Sequence, residues 1–271
     1  MKYKLIVSDF DGTIFSHKLR EVPENVKRAI TEYVEKGGKF VLCTGRMYTA
    51  IKRYAKELGL TGALLCLQGS VCCDLESDEE LFVFDIPFET TLKIAKFVES
   101  KGWTYHFYHD LRLFTKSENK YTDIYENMVN VKAVYTRNEV SEVIAENGYT
   151  AHKFIVMTEP EEAEEKMKIL SAEFPDIDVS QSTPLFIELV DKSSGKGNAV
   201  KRLAKMLNVD ISEVVVMGDE TNDLTMLEVA GLALAPENAV DAVKELADII
   251  YPSVHEGGAS VMIRKIINNE L

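Results

Sequence analysis

Short apolar segments that alternate with helical segments constrain the fold of this chain most strongly. The first apolar run, rich in branched residues, ends at Asp9, and Pro23 then opens a segment with apolar residues at helical spacing. Two more apolar runs, 39–45 and 62–67, flank a second helical segment that ends at Gly59. Strands that alternate with helices form parallel sheets covered by helices on both faces. We therefore expect an α/β fold in this third of the chain.

The middle of the chain has a different pattern. Segments such as WTYHFYHD at 103–110 lack a long apolar run and are typical of strands with one solvent-facing side. The strand–helix alternation then returns toward the C-terminus. Flanks of one type around a middle of another predict a core domain with an inserted domain. We place the core domain at 1–81 and 188–271 and the inserted α+β domain at 82–187.

Composition limits the classes of partner. The 271 residues carry a formal net charge of -13, which argues against a general nucleic-acid binder because phosphate backbones are held by an excess of Lys and Arg. No apolar segment approaches the roughly 20 residues of a membrane span, and the apolar stretch before Asp9 is too short for a secretory signal. We therefore expect a cytoplasmic protein without a membrane or nucleic-acid partner. A small anionic substrate remains compatible with these features.

Two acidic residues, Asp9 and Asp11, follow the first predicted strand within the sequence DFDGT. Parallel α/β sheets bind ligands outside the carboxyl ends of their strands. Two carboxylates this close are costly without a cation, so a bound Mg²⁺ would favour the charged form of Asp9 while Asp11 holds a proton. Such a pair supplies a nucleophile and a general acid or base. The alternative is a turn with two acids at the surface.

Two other segments offer groups that bind anions. The second apolar strand ends at Thr44, followed by Gly45 and Arg46. A hydroxyl combined with backbone N–H groups at a helix start forms an anion site, to which Arg46 could add charge. Lys196 lies between two glycines at the start of a later helical segment and could contact a phosphate as a point charge. An ordinary strand end and a solvent-exposed lysine are the alternatives.

A third strand end carries more acidic residues. The apolar run VVVM is followed by Gly218 and Asp219, with Asp223 four residues later. Carboxylate oxygens are the ligands that Mg²⁺ prefers, so Asp219 is a candidate ligand and Asp223 a ligand or an outer partner. Asn222 can donate a hydrogen bond to a phosphate oxygen. The alternative is a helix N-cap with acids in the first turn.

Together, in this order, the four segments resemble the motifs of the haloacid dehalogenase superfamily of phosphotransferases. The placement of the insert resembles the Cof-type branch, whose α+β cap (subclass IIB) lies between the second and third motifs. The segments PENAVDAVKELADII and HEGGASVMI are similar to segments of the same branch. The resemblance implies a Rossmann-like, doubly wound parallel-sheet core with an inserted α+β cap domain.

The resemblance also implies a mechanism. Asp9 would attack phosphorus and form an aspartyl-phosphate, and Asp11 would protonate the leaving oxygen and then activate water. Mg²⁺ would be held by the Asp9 carboxylate, the Asp11 main-chain carbonyl and Asp219. Four groups would contact phosphate oxygens: Thr44, the Gly45 N–H, Lys196 and Asn222. From its place beside Gly45, we expect Arg46 to add charge to the same site.

The predicted activity is hydrolysis of a small phosphomonoester, such as a sugar phosphate or a related metabolite. A phosphomutase of the phosphomannomutase type is the first alternative, because Asp11 serves both reactions. A catalytically idle binding module is a weaker alternative, since such a module need not keep all four motifs. The sequence predicts no oligomeric state.

Overall fold

The computed structural model describes residues 1–129 and 131–271. Its strands, in chain order, are β1 (Leu5–Ser8), β2 (Lys39–Leu42), β3 (Ala63–Cys66), β4 (Val71–Asp74), β5 (Glu80–Val83), β6 (Tyr105–His109), β7 (Arg112–Thr115), β8 (Ala133–Tyr135), β9 (Lys153–Met157), β10 (Ile177–Thr183), β11 (Phe186–Asp191), β12 (Val214–Met217), β13 (Leu232–Pro236) and β14 (Ile249–Tyr251). Its helices are α1 (Glu24–Glu35), α2 (Tyr48–Glu57), α3 (Phe88–Ser100), α4 (Lys120–Val129), α5 (Val140–Asn147), α6 (Ala163–Glu173), α7 (Lys196–Met206), α8 (Leu224–Leu227), α9 (Asp241–Leu246) and α10 (Ala259–Ile267).

The chain divides into two compact units. The first comprises Met1–Arg46, Ile51–Phe82 and Gly195–Leu271, and the second comprises Met47–Ala50 and Val83–Ser194. The break after Phe82 lies within one residue of the sequence-based boundary at 81/82, although Met47–Ala50, which the sequence placed in the core domain, belongs to the second unit. The break after Ser194 lies later than the predicted start at 188, which falls inside β11. Because β11 is hydrogen-bonded to β9 and β10, it stays with the second unit.

The first unit is built on a five-stranded parallel sheet in the order β14-β13-β12-β1-β2. The strands Leu5–Ser8 and Val214–Met217 are buried along their whole length, as expected where helices cover both faces. Strand order reverses beside β1, since the chain adds β2 on one side of it and β12 on the other. This is the doubly wound α/β core that the sequence predicts, and such sheets bind ligands where the order reverses.

The third predicted strand departs from the expectation. Strand β3 pairs antiparallel with β4 in a three-stranded sheet that also contains β5, and an isolated bridge between Cys43 and Leu65 links it to the end of β2. The chain turns back on itself at Leu67–Gly69, immediately after β3. Because β3 pairs locally with β4, it does not extend the parallel sheet as a sixth strand.

The second unit is α+β. Its six-stranded sheet has the order β10-β11-β9-β6-β7-β8, and every pair is antiparallel except β7 with β8. Tyr105 and Phe107 of β6 pack in a hydrophobic cluster that includes buried residues of α3, α5 and α6. On the opposite side, His106 Nε2 lies 3.0 Å from the Thr122 hydroxyl of α4. His106 and Tyr108 are as buried as the residues on the cluster side, so the expectation of a solvent-facing side is wrong for this strand.

Only a short helical segment follows Asp219 in the structure. A 3₁₀ turn at Thr221–Asp223 precedes the single turn of α8. The Asp223 carboxylate accepts hydrogen bonds from the N–H groups of Asp219 and Glu220 and so closes the turn over the end of β12. The acidic residues of this segment therefore shape a loop. Among the described residues, no helix is both long and apolar enough to cross a membrane.

Candidate active site

The acidic residues of the first and last motifs lie at the carboxyl ends of adjacent strands. Asp9 follows β1 directly, and its N–H donates to the carbonyl of Met217 at the end of β12 (2.8 Å). Asp219 comes two residues after that strand, and Thr13 donates a hydrogen bond to its Oδ1 (2.5 Å). The reversal of strand order beside β1 therefore places both acids at one edge of the sheet.

Three carboxylates and one lysine form the centre of this edge. Oxygens of Asp9, Asp219 and Asp223 all lie within 4.8 Å of one another. Lys196 Nζ donates to Asp9 Oδ1 and to Asp223 Oδ1, each at 2.6 Å, and its side chain is 1% exposed. Helix α7, which begins at Lys196, carries this ammonium group into the centre of the cluster. All four residues were expected to share a site.

Burial determines the protonation behaviour of the cluster. It raises the pKa of Asp9, with the charges of Asp223 and Asp219 adding to the shift and Lys196 opposing it. It also raises the pKa of Asp219 to about 7, against the hydrogen bond from Thr13. Burial alone would lower the pKa of Lys196, but Asp9 and Asp223 outweigh it and raise that pKa. With all three carboxylates charged, the cluster would carry more negative charge than one lysine balances, and burial adds to the tendency of Asp9 and Asp219 to hold protons.

The donor set fits a hard divalent cation. Mg²⁺ takes carboxylate oxygens and retains several waters, which suits the close oxygens of Asp9 and Asp219. Asp223 is more heavily engaged, since one of its oxygens accepts from Lys196 and the other from two backbone N–H groups. Its hydrogen bonds fix the loop that carries Asp219. A cation held by Asp9 and Asp219 would also relieve the unfavourable burial of their charges.

The Asp11 carboxylate lies apart from that of Asp9, although the two residues are only two positions apart in the chain. Strand β1 ends at Ser8, so Asp9 and Asp11 are not two residues on one face of a strand. The Asp11 carboxylate accepts two hydrogen bonds from Arg46, from Nε at 2.7 Å and from Nη2 at 2.5 Å, and His17 Nε2 lies 3.2 Å away. It does not belong to the group of three carboxylates.

Arg46 therefore has a partner that the sequence did not indicate. Its guanidinium also lies over three aromatic rings, with centroids at 5.1 Å for Phe10, 5.7 Å for Phe15 and 5.5 Å for Tyr54. Burial alone would lower the pKa of Arg46, but the hydrogen bonds and charge of Asp11 raise it. The expected phosphate contact of Arg46 competes with this ion pair.

The loop after β2 presents hydrogen-bonding groups near the same edge. Thr44 is buried, and its Oγ1 accepts from the Arg46 N–H (3.2 Å). The Gly45 N–H has no acceptor among the residues that the structure describes. Asn222, in the loop after β12, donates through Nδ2 to Gln68 Oε1 (3.1 Å). A hydroxyl, a free backbone donor and a side-chain amide are groups suited to an oxyanion.

Sequence reasoning assigned no role to Thr13 or Gln68, although both contact site residues. Thr13 stands in the motif DFDGT, so its position next to the acids was the available signal. Gln68 is 154 residues from Asn222 in the chain, and no local pattern connects the two.

A model of the haloacid dehalogenase-like hydrolase family matches residues 6–263. The chain belongs to this family. The match extends over nearly the whole sequence and confirms the resemblance drawn from the four motifs. The protein is therefore an enzyme of a hydrolase family.

Relatives that align with this chain over nearly their full length support the assignment. The crystal structure of TM0651 from Thermotoga maritima is 29% identical, has a TM-score of 0.87 and covers 97% of each chain. A Bacillus subtilis protein named 5-amino-6-(5-phospho-D-ribitylamino)uracil phosphatase is 27% identical and covers 96% of this chain and 94% of its own. The structure of BT4131, described as a subclass IIB sugar phosphatase of the superfamily, is 22% identical with a TM-score of 0.78, covers 97% of this chain and 98% of that one, and shows the shared fold.

Proposed function

We propose that this protein is a magnesium-dependent phosphatase that removes phosphate from a small phosphomonoester through an aspartyl-phosphate on Asp9. The observation that carries the proposal is Lys196, which joins Asp9 to Asp223 inside a cluster of three carboxylates. One buried cation and several carboxylates beside free hydrogen-bond donors suit phosphoryl transfer, which needs mainly positioning and charge neutralisation. The phosphatase names of full-length relatives support the reaction class.

In the first step, an Asp9 carboxylate oxygen attacks phosphorus and the bond to the substrate's ester oxygen breaks. Asp11 gives its proton to that leaving oxygen, so an alcohol departs and Asp9 carries the phosphoryl group. In the structure both Asp11 oxygens accept hydrogen bonds from Arg46. Proton donation therefore requires that Arg46 release at least one of them.

In the second step, Asp11 is the base. It takes a proton from a water molecule that attacks phosphorus, and the bond to the Asp9 oxygen breaks, which frees inorganic phosphate and restores the Asp9 carboxylate. Asp11 is then protonated again for the next cycle. Two carboxyl groups with different surroundings thus divide the roles of nucleophile and acid–base catalyst.

Other residues hold the phosphoryl group and its charge. We assign Thr44, the Gly45 N–H, Lys196 and Asn222 to its oxygens, with Arg46 contributing when it leaves Asp11. A Mg²⁺ ion bound by Asp9, Asp219 and the Asp11 main-chain carbonyl would neutralise charge that develops on the phosphoryl oxygens. Asp223 keeps Lys196 and the Asp219 loop in place.

The same chemistry suits a small phosphorylated metabolite such as a sugar phosphate as the substrate, rather than a nucleic acid or a membrane surface. We assign the first unit as the catalytic domain and the second as the cap domain that selects the substrate. Four free, buried cysteines suit a reducing compartment, which supports a cytoplasmic location.

Phosphate release from an aryl phosphate by the purified protein tests the proposal. Activity should require Mg²⁺, and Asp9→Asn should reduce it at least roughly a thousandfold, because an amide is a poor nucleophile. Asp241→Asn, at an exposed aspartate of α9, is the matched control and should keep full activity. Full activity of Asp9→Asn would refute the covalent route. Conversion of a hexose 1-phosphate to its 6-phosphate without phosphate release would indicate a mutase instead.

A further inference from the structure

The turn between β3 and β4 has an unusual backbone. Leu67, Gln68 and Gly69 follow one another with φ angles of 50°, 60° and 85°. Glycine adopts positive φ freely, whereas leucine and glutamine do so at a conformational cost. Successive residues of this kind persist only where the surroundings hold them, and such strain concentrates at functional sites. The position of Gln68 within the site therefore calls for a functional explanation.

This turn contacts three segments that build the active site: two loops and the start of a helix. The N–H groups of Leu67 and Gln68 donate to the carbonyls of Arg46 and Thr44, each at 3.0 Å, which ties the turn to the loop after β2. A Cβ atom on Gly69 would lie 2.7 Å from Ala199 Cβ, so the turn also packs closely on the start of α7. The Gln68 side chain then reaches the loop after β12.

The two ends of the Gln68 amide have different surroundings. Its Oε1 accepts the hydrogen bond from Asn222 Nδ2 at 3.1 Å. Its Nε2 lies against Gly45, since a Cβ built on that glycine would come within 2.6 Å of this nitrogen. Neither Nε2 nor the Gly45 N–H has an acceptor in the described part of the chain. Gln68 therefore brings an unused donor against the residue that carries a second one, and the Asn222 amide is hydrogen-bonded to the same side chain.

We propose that Gln68 contacts the substrate's phosphoryl group: Nε2 donates to a phosphoryl oxygen beside the Gly45 N–H, while Oε1 orients the Asn222 amide toward the same group. The ligand class is a tetrahedral oxyanion, because adjacent N–H donors match oxygens that share one central atom. This inference rests on the proposed phosphatase function and adds a residue that the four motifs do not contain.

Gln68→Glu tests the donor. The side chain keeps its length and one oxygen for Asn222, but an anionic oxygen replaces the Nε2 donor. We expect the dissociation constant of inorganic phosphate, measured by calorimetry with Mg²⁺ present, to rise roughly tenfold to a hundredfold. KM for an aryl phosphate should rise with it. Gln181→Glu, the same change at an exposed glutamine of the second unit, should leave phosphate binding unchanged.

Gln68→Asn separates a substrate contact from a purely structural role. Asparagine tolerates positive φ better than glutamine, so the variant should be at least as stable as the wild type in thermal unfolding. Its side chain is one methylene shorter and cannot serve both Asn222 and the phosphoryl group, so phosphate binding should weaken. If Gln68 only shaped the turn, Gln68→Asn would bind phosphate as tightly as the wild type, and that result would overturn the inference.

The same measurements distinguish failure of the inference from failure of the function. A wild-type protein that neither binds inorganic phosphate nor hydrolyses phosphomonoesters refutes both. A wild-type protein that does both, alongside folded Gln68→Glu and Gln68→Asn variants with unchanged phosphate affinity, refutes only the role of Gln68.

Discussion

At the scale of single residues, Lys196 forms the buried ion pairs of the site. Its ammonium group is the buried cation that contacts both Asp9 and Asp223. Removing one member of a buried, hydrogen-bonded ion pair is costly because the remaining charges stay buried without a partner. The lysine thus stabilises the fold as well as preparing the site for an anionic substrate.

We predict that Lys196→Met destabilises the protein by about 3 kcal/mol in the absence of divalent cations. Urea unfolding at neutral pH measures the change. Lys201→Met, at an exposed lysine of the same helix, is the control and should change stability by less than about 0.5 kcal/mol. Equal stability of the two variants would mean that Asp9 and Asp223 are neutral in the folded protein.

Gly12 is needed for a different reason, the close approach of Asp219. Its φ is 81°, and an added Cβ would lie 2.1 Å from Asp219 Oδ2. Gly37 has a similar φ of 87° but open space around it. The two glycines therefore separate the cost of backbone conformation from the cost of the contact.

We predict that Gly12→Ala and Gly37→Ala each lose about 1 kcal/mol of stability from backbone strain, while only Gly12→Ala loses activity, by at least roughly tenfold. Denaturant unfolding and phosphatase assays give the two quantities. Equal activity in both variants would contradict the view that the position of Asp219 limits catalysis.

At the scale of elements, the two faces of strand β6 have different surroundings. Tyr105 and Phe107 belong to the hydrophobic cluster of the second unit, whereas His106 is fully buried on the other side. Its Nδ1 has no hydrogen-bond partner in the described residues. Burial lowers the pKa of His106 to about 4, with the charge of Glu126 opposing the shift. The folded protein therefore favours the neutral imidazole.

This shift predicts a loss of stability in mild acid. The unfolded chain takes up a proton on His106 near pH 6.5, whereas the folded protein does so only near pH 4. The free energy of unfolding is therefore unaffected by His106 above about pH 6.5 and falls as the pH drops from there toward 4. At pH 5 the loss is about 2 kcal/mol relative to pH 7. Urea unfolding of His106→Gln at the two pH values should show a smaller difference than the wild type. His255→Gln, at an exposed histidine, should behave as the wild type.

At the scale of the whole molecule, cation binding links the site to global stability. The carboxylates of Asp9 and Asp219 come from segments that are far apart in the chain, so a cation that binds both favours the folded first unit over the unfolded chain. A cation at a hundred times its dissociation constant adds about 2.7 kcal/mol. Metal binding can thus be followed without turnover.

We predict that Mg²⁺ raises the thermal unfolding temperature of the wild type by several degrees, that a chelator reverses the rise, and that Asp219→Asn abolishes it. The amide retains the size of the side chain but supplies a weaker ligand for a hard cation. Asp210→Asn, at an exposed aspartate outside the cluster, is the control and should respond as the wild type. The same Mg²⁺-dependent rise in Asp219→Asn would exclude Asp219 as a ligand.

The sequence alone predicted the features that depend on local order. The apolar runs before Asp9, Thr44 and Asp219 are short, and each is followed directly by polar residues, so strand ends and candidate ligands could be recognised together. Alternation of strands with helices predicted the parallel core, and the change of pattern in the middle predicted an α+β insert. Burial of apolar residues is the common cause, since it acts on each segment wherever that segment lies in the fold.

Only the tertiary structure decided the contacts between distant side chains. Arg46 and Asp11 are 35 residues apart, and Gln68 and Asn222 are 154 apart, so neither pairing leaves a periodic signal in the sequence. The antiparallel pairing of β3 likewise depends on the backbone of one turn rather than on its apolar residues. The sequence thus determined which groups are available at the edge of the sheet. Folding determined which of them touch, because hydrogen-bond geometry depends on positions that strand order and turn conformation set together.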